Sequence, residues 1–222
     1  MYFHFIDMAK SFKDWTQYDL QQQFGLVKKP ANESTVLLDW LNVSDKISDE
    51  PVLAELNIII EDLSEYADIW NEEELKAFFI IPLLRLVNFH HKKYKVFFER
   101  KLTATLNGIT LNGDVDMMIA SGNYNSIVAP FFCLQEYKPE GRRSANDARG
   151  QLLSEMLAAQ TLNGTEIPVL GCYLNGRLWF FATLIGNEYC FSQGFVADEI
   201  GGLTRIFNSL QKMKSWFDAR VA

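Results

Sequence analysis

Two rhythms of apolar and polar residues run along this chain, and one gives way to the other near residue 94. Ahead of that point the apolar positions recur at helical spacing. Leu53, Leu56, Ile60 and Leu63 predict a helix over residues 50–66. Up to about residue 48 the pattern is weaker, with a short helix expected over 17–24 and an apolar segment over 36–41. A second long helix is expected over 71–89. Asn71 stands as its N-cap with Glu74 three residues on, a capping-box pattern. Leu75, Phe79, Leu83 and Leu86 form its apolar face, and Pro82 predicts a kink.

From Tyr94 the rhythm is that of strands. VFFER and LTATL lead to Asn107-Gly108, a strong hairpin signal. A second Asn-Gly, at 112–113, precedes an apolar run to Ala120, with Asp114 expected in the turn. A Gly/Asn/Ser loop over 121–126 then leads to a third strand, 131–138. Residues 147–160 predict a helix with Leu152, Leu153, Met156 and Leu157 on one side. Strands follow over 169–174, 178–184 and 189–192, and Leu203, Phe207, Leu210, Met213 and Phe217 mark a closing helix. This order predicts the α/β class, a central mixed β-sheet flanked by helices. No repeat or Pro/Gly-rich linker divides the 222 residues, so one domain is expected. It would comprise an N-terminal helical extension to about residue 70, a core over 71–174, and C-terminal strands and helix over 175–222.

Composition narrows the class. With 48% hydrophobic and 22% charged residues the chain is too apolar for disorder. No stretch approaches the roughly 18 apolar residues of a membrane span. The opening MYFHFIDMAKSF meets Asp7 and Lys10 too early for a secretory segment, so a cytoplasmic protein is expected. Cys133, Cys172 and Cys190 sit in apolar strand-like runs and are expected as buried free thiols. His90 and His91 are adjacent, which does not converge two rings on one metal. The net charge of −7 excludes coating of nucleic acid by bulk electrostatics, so any such contact needs a local patch.

Two strands carry charges where the core pattern calls for apolar side chains. In GDVDMMIA, Asp114 and Asp116 lie two apart, as do Glu136 and Lys138 in FFCLQEYKPE, and residues two apart share a strand face. Charges near a sheet interior need partners or a metal. One carboxylate from each strand suits Mg²⁺ or Mn²⁺, which take hard oxygen ligands, few of them from protein. A lysine on the same face suits hydrolysis, by orienting or deprotonating water or by stabilising charge on phosphorus. E-x-K alone is a common surface pair; Gly113-x-x-Asp116 on a preceding strand and the flanking helices make this one specific.

Gly113-x-x-Asp116 followed by Glu136-Tyr137-Lys138 resembles the D…(D/E)-x-K signature of the PD-(D/E)XK, or restriction-endonuclease-like, nuclease superfamily. The helix NEEELKAFFIIPLLRLV is similar to the first helix of the nuclease domain in type I restriction R subunits, where a glutamate stands about ten residues before Pro-Leu-Leu. The resemblance covers residues 71–174. It implies a restriction-endonuclease-like core and Asp116 and Glu136 as metal ligands, with the Tyr137 carbonyl as a third. Lys138 would be the catalytic lysine, and Glu72 (Glu73 and Glu74 being register alternatives) and Gln151 would support the site. Four residues after Gln151 stands Glu155, where RecB-like relatives have tyrosine. Asp114 is implied to be structural.

The expected partner is nucleic acid, DNA by the resemblance. Lys92, Lys93, Lys95, Arg100 and Lys101 interleave with Tyr94, Phe97 and Phe98, a pattern that suits phosphate contact and stacking and equally suits a solvated edge. Arg142 and Arg143 follow the E-x-K strand directly, closer to the metal position. No Walker loop is present, so ATP-driven translocation would need a partner chain; a homodimer is the alternative assembly. Two rival readings stand beside the nuclease: a catalytically silent module of the same fold, and an unrelated α/β protein whose charges form a structural network.

Overall fold

Short polar side chains set where the helices of this chain begin. In the computed structural model, which describes residues 8–123, 126–139, 147–164 and 167–221, helix α1 (Gln17–Phe24) opens on a Thr16–Asp19 capping box. It closes on Gly25, in the left-handed conformation at φ 67°. Ser34 caps α2 (Thr35–Leu41), and Asp49 caps α3 (Glu50–Tyr66), which has Pro51 in its first turn. The Asn71–Glu74 capping box opens α4 (Glu72–Leu75). A π-helical turn, Lys76–Ile80, connects α4 to α5 (Ile81–Val87). Pro82 has no N–H to give to the preceding turn, and the chain meets it with a wider π-helical turn just before, Pro82 itself standing in the first turn of α5. Asp147 caps α6 (Ala148–Asn163), and α7 (Ile200–Val221) ends the described chain. No helix among the described residues is long and apolar enough to cross a membrane.

Among the described residues nine strands form one mixed sheet: β1 (Met8–Ser11), β2 (Val27–Lys28), β3 (Tyr94–Leu106), β4 (Ile109–Asn123), β5 (Ser126–Lys138), β6 (Val169–Asn175), β7 (Leu178–Ile185), β8 (Glu188–Phe191) and β9 (Phe195–Val196). Asn107 and Gly108 both take positive φ, as a tight two-residue hairpin turn requires, and join β3 to β4. Asn112-Gly113, by contrast, is no turn: β4 passes straight through it, so Asp114 lies within the strand. Of the expected loop over 121–126, residues 121–123 belong instead to β4 and Ser126 to β5, paired antiparallel as far as Asn123–Ser126.

β3 pairs with β4 along the whole of one edge. The other edge is divided. β1 runs parallel to β4 at Ile109–Asn112, and β5 runs antiparallel to it from Met117 onward. β5 pairs on its far side with β6, and β7, β8 and β2 continue the sheet, with β9 beside β7.

Helices cover both faces. One core gathers Trp40, Leu56, Leu63, Phe79 and Leu83 with Leu203, Leu210 and Phe217. The other packs Trp15, Leu20 and the α6 residues Leu152, Leu153, Met156 and Leu157 against Leu111, Met118 and Leu134. The segment before residue 71 is therefore not a helical extension alone. It supplies β1 and β2 to the sheet and Phe12, Trp15, Leu37 and Trp40 to the cores, because these short, isolated strands are made by edges far away in sequence. Cys133, Cys172 and Cys190 are buried free thiols.

Gly113 marks where the N-terminal segment closes onto β4. A Cβ there would stand 2.8 Å from Cδ2 of the buried Phe12 ring. Gly113→Ala is expected to cost about 1–3 kcal/mol through this overlap, seen as a lower urea midpoint. Adding Phe12→Leu should recover part of the loss; an unchanged midpoint in the single variant would show that the contact carries no packing constraint.

Candidate active site

Between Asn112, the last residue paired with β1, and Met117, the first paired with β5, one edge of β4 has no strand partner among the described residues. β5 meanwhile stays paired with β6 through Lys138. The two strands thus part at the Met117–Gln135 pair, and the next residue on each is acidic: Asp116 and Glu136. Asp116 Oδ2 accepts a hydrogen bond of 2.8 Å from the Tyr137 N–H across the opening. The Lys138 ammonium lies against Glu136 Oε1. Asp116, Glu136 and Lys138 are therefore together, as their spacing predicts.

Asp114 is not with them, and the reason lies in the strand geometry. In the first half of β4 the odd-numbered Ile109, Leu111 and Val115 enter the α6-side core. In the second half the even-numbered Met118 and Ala120 do so, while Met117 and Ile119 turn to the opposite core. β3 changes in step, from Leu102 and Ala104 to Phe97. The reversal falls between the Phe98–Met117 and Arg100–Val115 pairs, where Glu99 takes φ 50°. Strict alternation cannot be carried across such a residue, so Asp114 is exposed opposite Lys101 rather than beside Asp116.

Of the three helix glutamates, Glu74 is committed to its capping box and the Glu73 side chain is 83% exposed. Glu72 is the one whose charge acts on both Asp116 and Glu136. It does so together with a residue the sequence reading did not single out. Lys76, buried in the π-helical turn, places its ammonium 2.6 Å from Glu99, 3.0 Å from Glu72 and 3.6 Å from Glu73. Those three glutamates are the one group of three carboxylates among the described residues whose oxygens lie within 4.8 Å of one another. Lys76 already supplies their cation. Its only sequence signal was a position four after Glu72, the spacing of a helical ion pair.

α6 closes the site from the other side. The Gln151 amide donates to Glu136 Oε2 at 2.7 Å and to Glu155 Oε1 at 3.2 Å. Gln151 also lines a cleft of about 580 Å³. Glu155, noted in the sequence only as a departure from tyrosine, is fully buried, and its Oε2 has no hydrogen-bond partner among the described residues. Its neighbour at helical spacing was Gln151; nothing local announced burial of a charge.

The remaining expected residues are spread out. The Tyr137 side chain points to the opposite core, its hydroxyl on Gln135 Oε1 at 2.6 Å, so only its main chain borders the site. Lys95 is four residues along β3 from Glu99, roughly 13 Å on a strand, paired with Ala120. Lys92 is exposed and Lys93 donates to the Val221 carbonyl at the end of α7; none of the three is brought to the acidic cluster. Arg142 and Arg143 lie outside the described residues.

Burial and mutual repulsion raise the pKa values of the carboxyl groups in this cluster. Desolvation lifts Asp116 from 3.8 to about 6, against the pull of the Tyr137 N–H and with a push from Glu72. Desolvation, then the charge of Asp116, lifts Glu136 to about 8 in spite of Lys138. Burial and the same two carboxylates push Glu155 well up. For Lys138 desolvation works downward, but Glu136, Asp116 and Glu72 outweigh it and the amine holds its proton more firmly than usual. Ionised Asp116 thus costs the folded chain about 3 kcal/mol. A divalent cation would relieve the shortage of positive charge beside these carboxylates and the unpartnered Glu155 oxygen, but Asp116, Glu136 and Glu155 do not bring three oxygens within 4.8 Å of one another as Glu72, Glu73 and Glu99 do.

No family model matches the chain, and no curated protein matches it.

The raised carboxyl groups fix the sign of the pH dependence. The folded chain retains protons that the unfolded chain has released between about pH 4 and pH 8, so stability falls as pH rises through that window. In chelator, the thermal midpoint should be lower at pH 8 than at pH 5. A midpoint that climbs over this range would contradict the assigned burial of the cluster.

Proposed function

We propose that this protein is a metal-dependent nuclease with a restriction-endonuclease-like core, hydrolysing phosphodiester bonds in nucleic acid, with DNA as the expected substrate. The observation that carries this reading is the convergence of Asp116, Glu136 and Lys138 where β4 and β5 separate. Asp116 and Glu136 would hold Mg²⁺ or Mn²⁺, with the Tyr137 main chain alongside. When bound, the ion supplies Lewis-acid polarisation of the phosphoryl oxygen and a more acidic water.

The protein's own groups have separable tasks. Because its neighbours keep Lys138 protonated, it acts as a donor to the charge that develops on the phosphoryl oxygens rather than as the base. Gln151 fixes the orientation of Glu136 through the 2.7 Å hydrogen bond and itself lines the cleft. Lys76 neutralises Glu72 and Glu99, which limits the negative charge that an approaching phosphodiester meets. The silent-module reading draws on one observation, the Lys138–Glu136 contact, which already satisfies one carboxylate without a metal.

Cleavage of single- and double-stranded DNA and RNA with Mg²⁺ or Mn²⁺ tests the reading. Lys138→Ala should lower the rate by about 10²–10³-fold or more and leave metal binding in place. Asp116→Ala should weaken the metal itself by at least the roughly 10–100-fold that loss of an outer-shell partner costs, read by calorimetric titration. Metal bound with no cleavage of any of these substrates would favour the silent module; metal binding indifferent to Asp116→Ala would reject the ligand set.

A further inference from the structure

The cleft beside Gln151 lies between the N-terminal segment and the β3–β4 hairpin, over the stretch of β4 edge that neither β1 nor β5 covers. Its cations come from places far apart in sequence. Lys13 stands on the 3₁₀ turn Phe12–Asp14, and Lys101 stands on β3; both are exposed. Among the described residues neither has an ion-pair partner. Asp114 is the one carboxylate on the lining, so this wall is locally cationic on a chain of net charge −7.

We propose that this cleft binds the phosphate backbone of a single nucleic-acid strand, with Lys13 and Lys101 as its phosphate contacts, and brings that strand to Gln151, whose amide holds the buried Glu136. The inference rests on the nuclease reading and names where its substrate lies. Size selects a single strand. About 580 Å³ is within the roughly 300–1,000 Å³ of pockets for small organic ligands, enough for about one or two nucleotides and too little for a duplex. Chemistry selects the backbone. Phe12, the aromatic residue on the lining, is 1% exposed and offers no face for a base to stack on. The remaining lining groups, such as Ser11, Thr103 and Asn112, are hydroxyls and an amide that suit phosphate and sugar oxygens. Binding should therefore be indifferent to base sequence.

Anisotropy of labelled oligodeoxythymidine, oligouridine and a hairpin duplex, in chelator to prevent cleavage, tests this on the full chain. Both lysines are exposed, so their alanine variants keep the fold, checked by the thermal midpoint. Each of Lys13→Ala and Lys101→Ala should weaken binding of the single strands. Each should also flatten the plot of log affinity against log salt by about 0.7 between about 50 and 200 mM. Lys46→Ala, remote from the cleft, should change neither. The two single strands tell deoxyribose from ribose at the same site. Duplex bound as tightly as single strand, affinity that follows Lys92 and Lys95 instead, or no binding by the wild-type chain would each overturn the proposal. Cleavage with no dependence on either lysine would remove this cleft and leave the nuclease standing. Lysine-dependent binding without cleavage under metal would leave the cleft and remove the enzyme.

Discussion

Strand β4 has a single edge to share, and two strands divide it. β1 takes the first four residues and β5 starts at Met117, which leaves Gly113 to Asp116 without a sheet partner on that side. A gap in a sheet exposes main-chain polar groups that must be satisfied some other way. Here the Tyr137 N–H turns to the Asp116 carboxylate, and the side chains, not the backbone, knit the opening together. The position of Asp116, the room for a cleft and the approach of α6 through Gln151 all follow from that division of one edge. The close fit of Phe12 over Gly113 holds the N-terminal segment at the mouth of the gap.

Charge is the second consequence. Asp116, Glu136 and Glu155 are gathered where water is scarce, with Lys138 the only ammonium in direct contact with any of them among the described residues. Lys76 answers a different set of carboxylates, Glu72, Glu73 and Glu99, and reaches Asp116 only through its field. The cluster therefore relieves itself by keeping protons. Such a conflict is costly to a fold that gains nothing from it, and an added cation would resolve it.

Much of this was legible in the chain because the signals were local. Charges at Asp116, Glu136 and Lys138 interrupt apolar strands, which is visible without any tertiary information. The Asn71–Glu74 capping box and the Asn107-Gly108 turn involve residues three and one apart. What the sequence hid depends on distant partners. β1 and β2 are only four and two residues long and become strands by meeting β4 and β8. Asp114 left the site because Glu99, on another strand, reverses the alternation that spacing assumes. Glu155 resembles any exposed helix glutamate until α6 is buried on nearly every side. Of the basic stretch from Lys92 to Lys101 only Lys101 lines the cleft, and its partner there, Lys13, meets it only once the N-terminal turn packs beside the hairpin.

The central proposal is that Asp116 sits in a cluster with too much negative charge, which a divalent cation would complete. Thermal midpoints at pH 8 for the wild-type chain and Asp116→Asn, each in chelator and in Mn²⁺, test it most directly. Asparagine can still accept the Tyr137 hydrogen bond, so the comparison isolates the charge. In chelator the variant should be the more stable of the two, and Mn²⁺ should raise the wild-type midpoint while leaving the variant nearly where it was. A variant less stable than wild type in chelator, with both raised equally by Mn²⁺, would contradict the account.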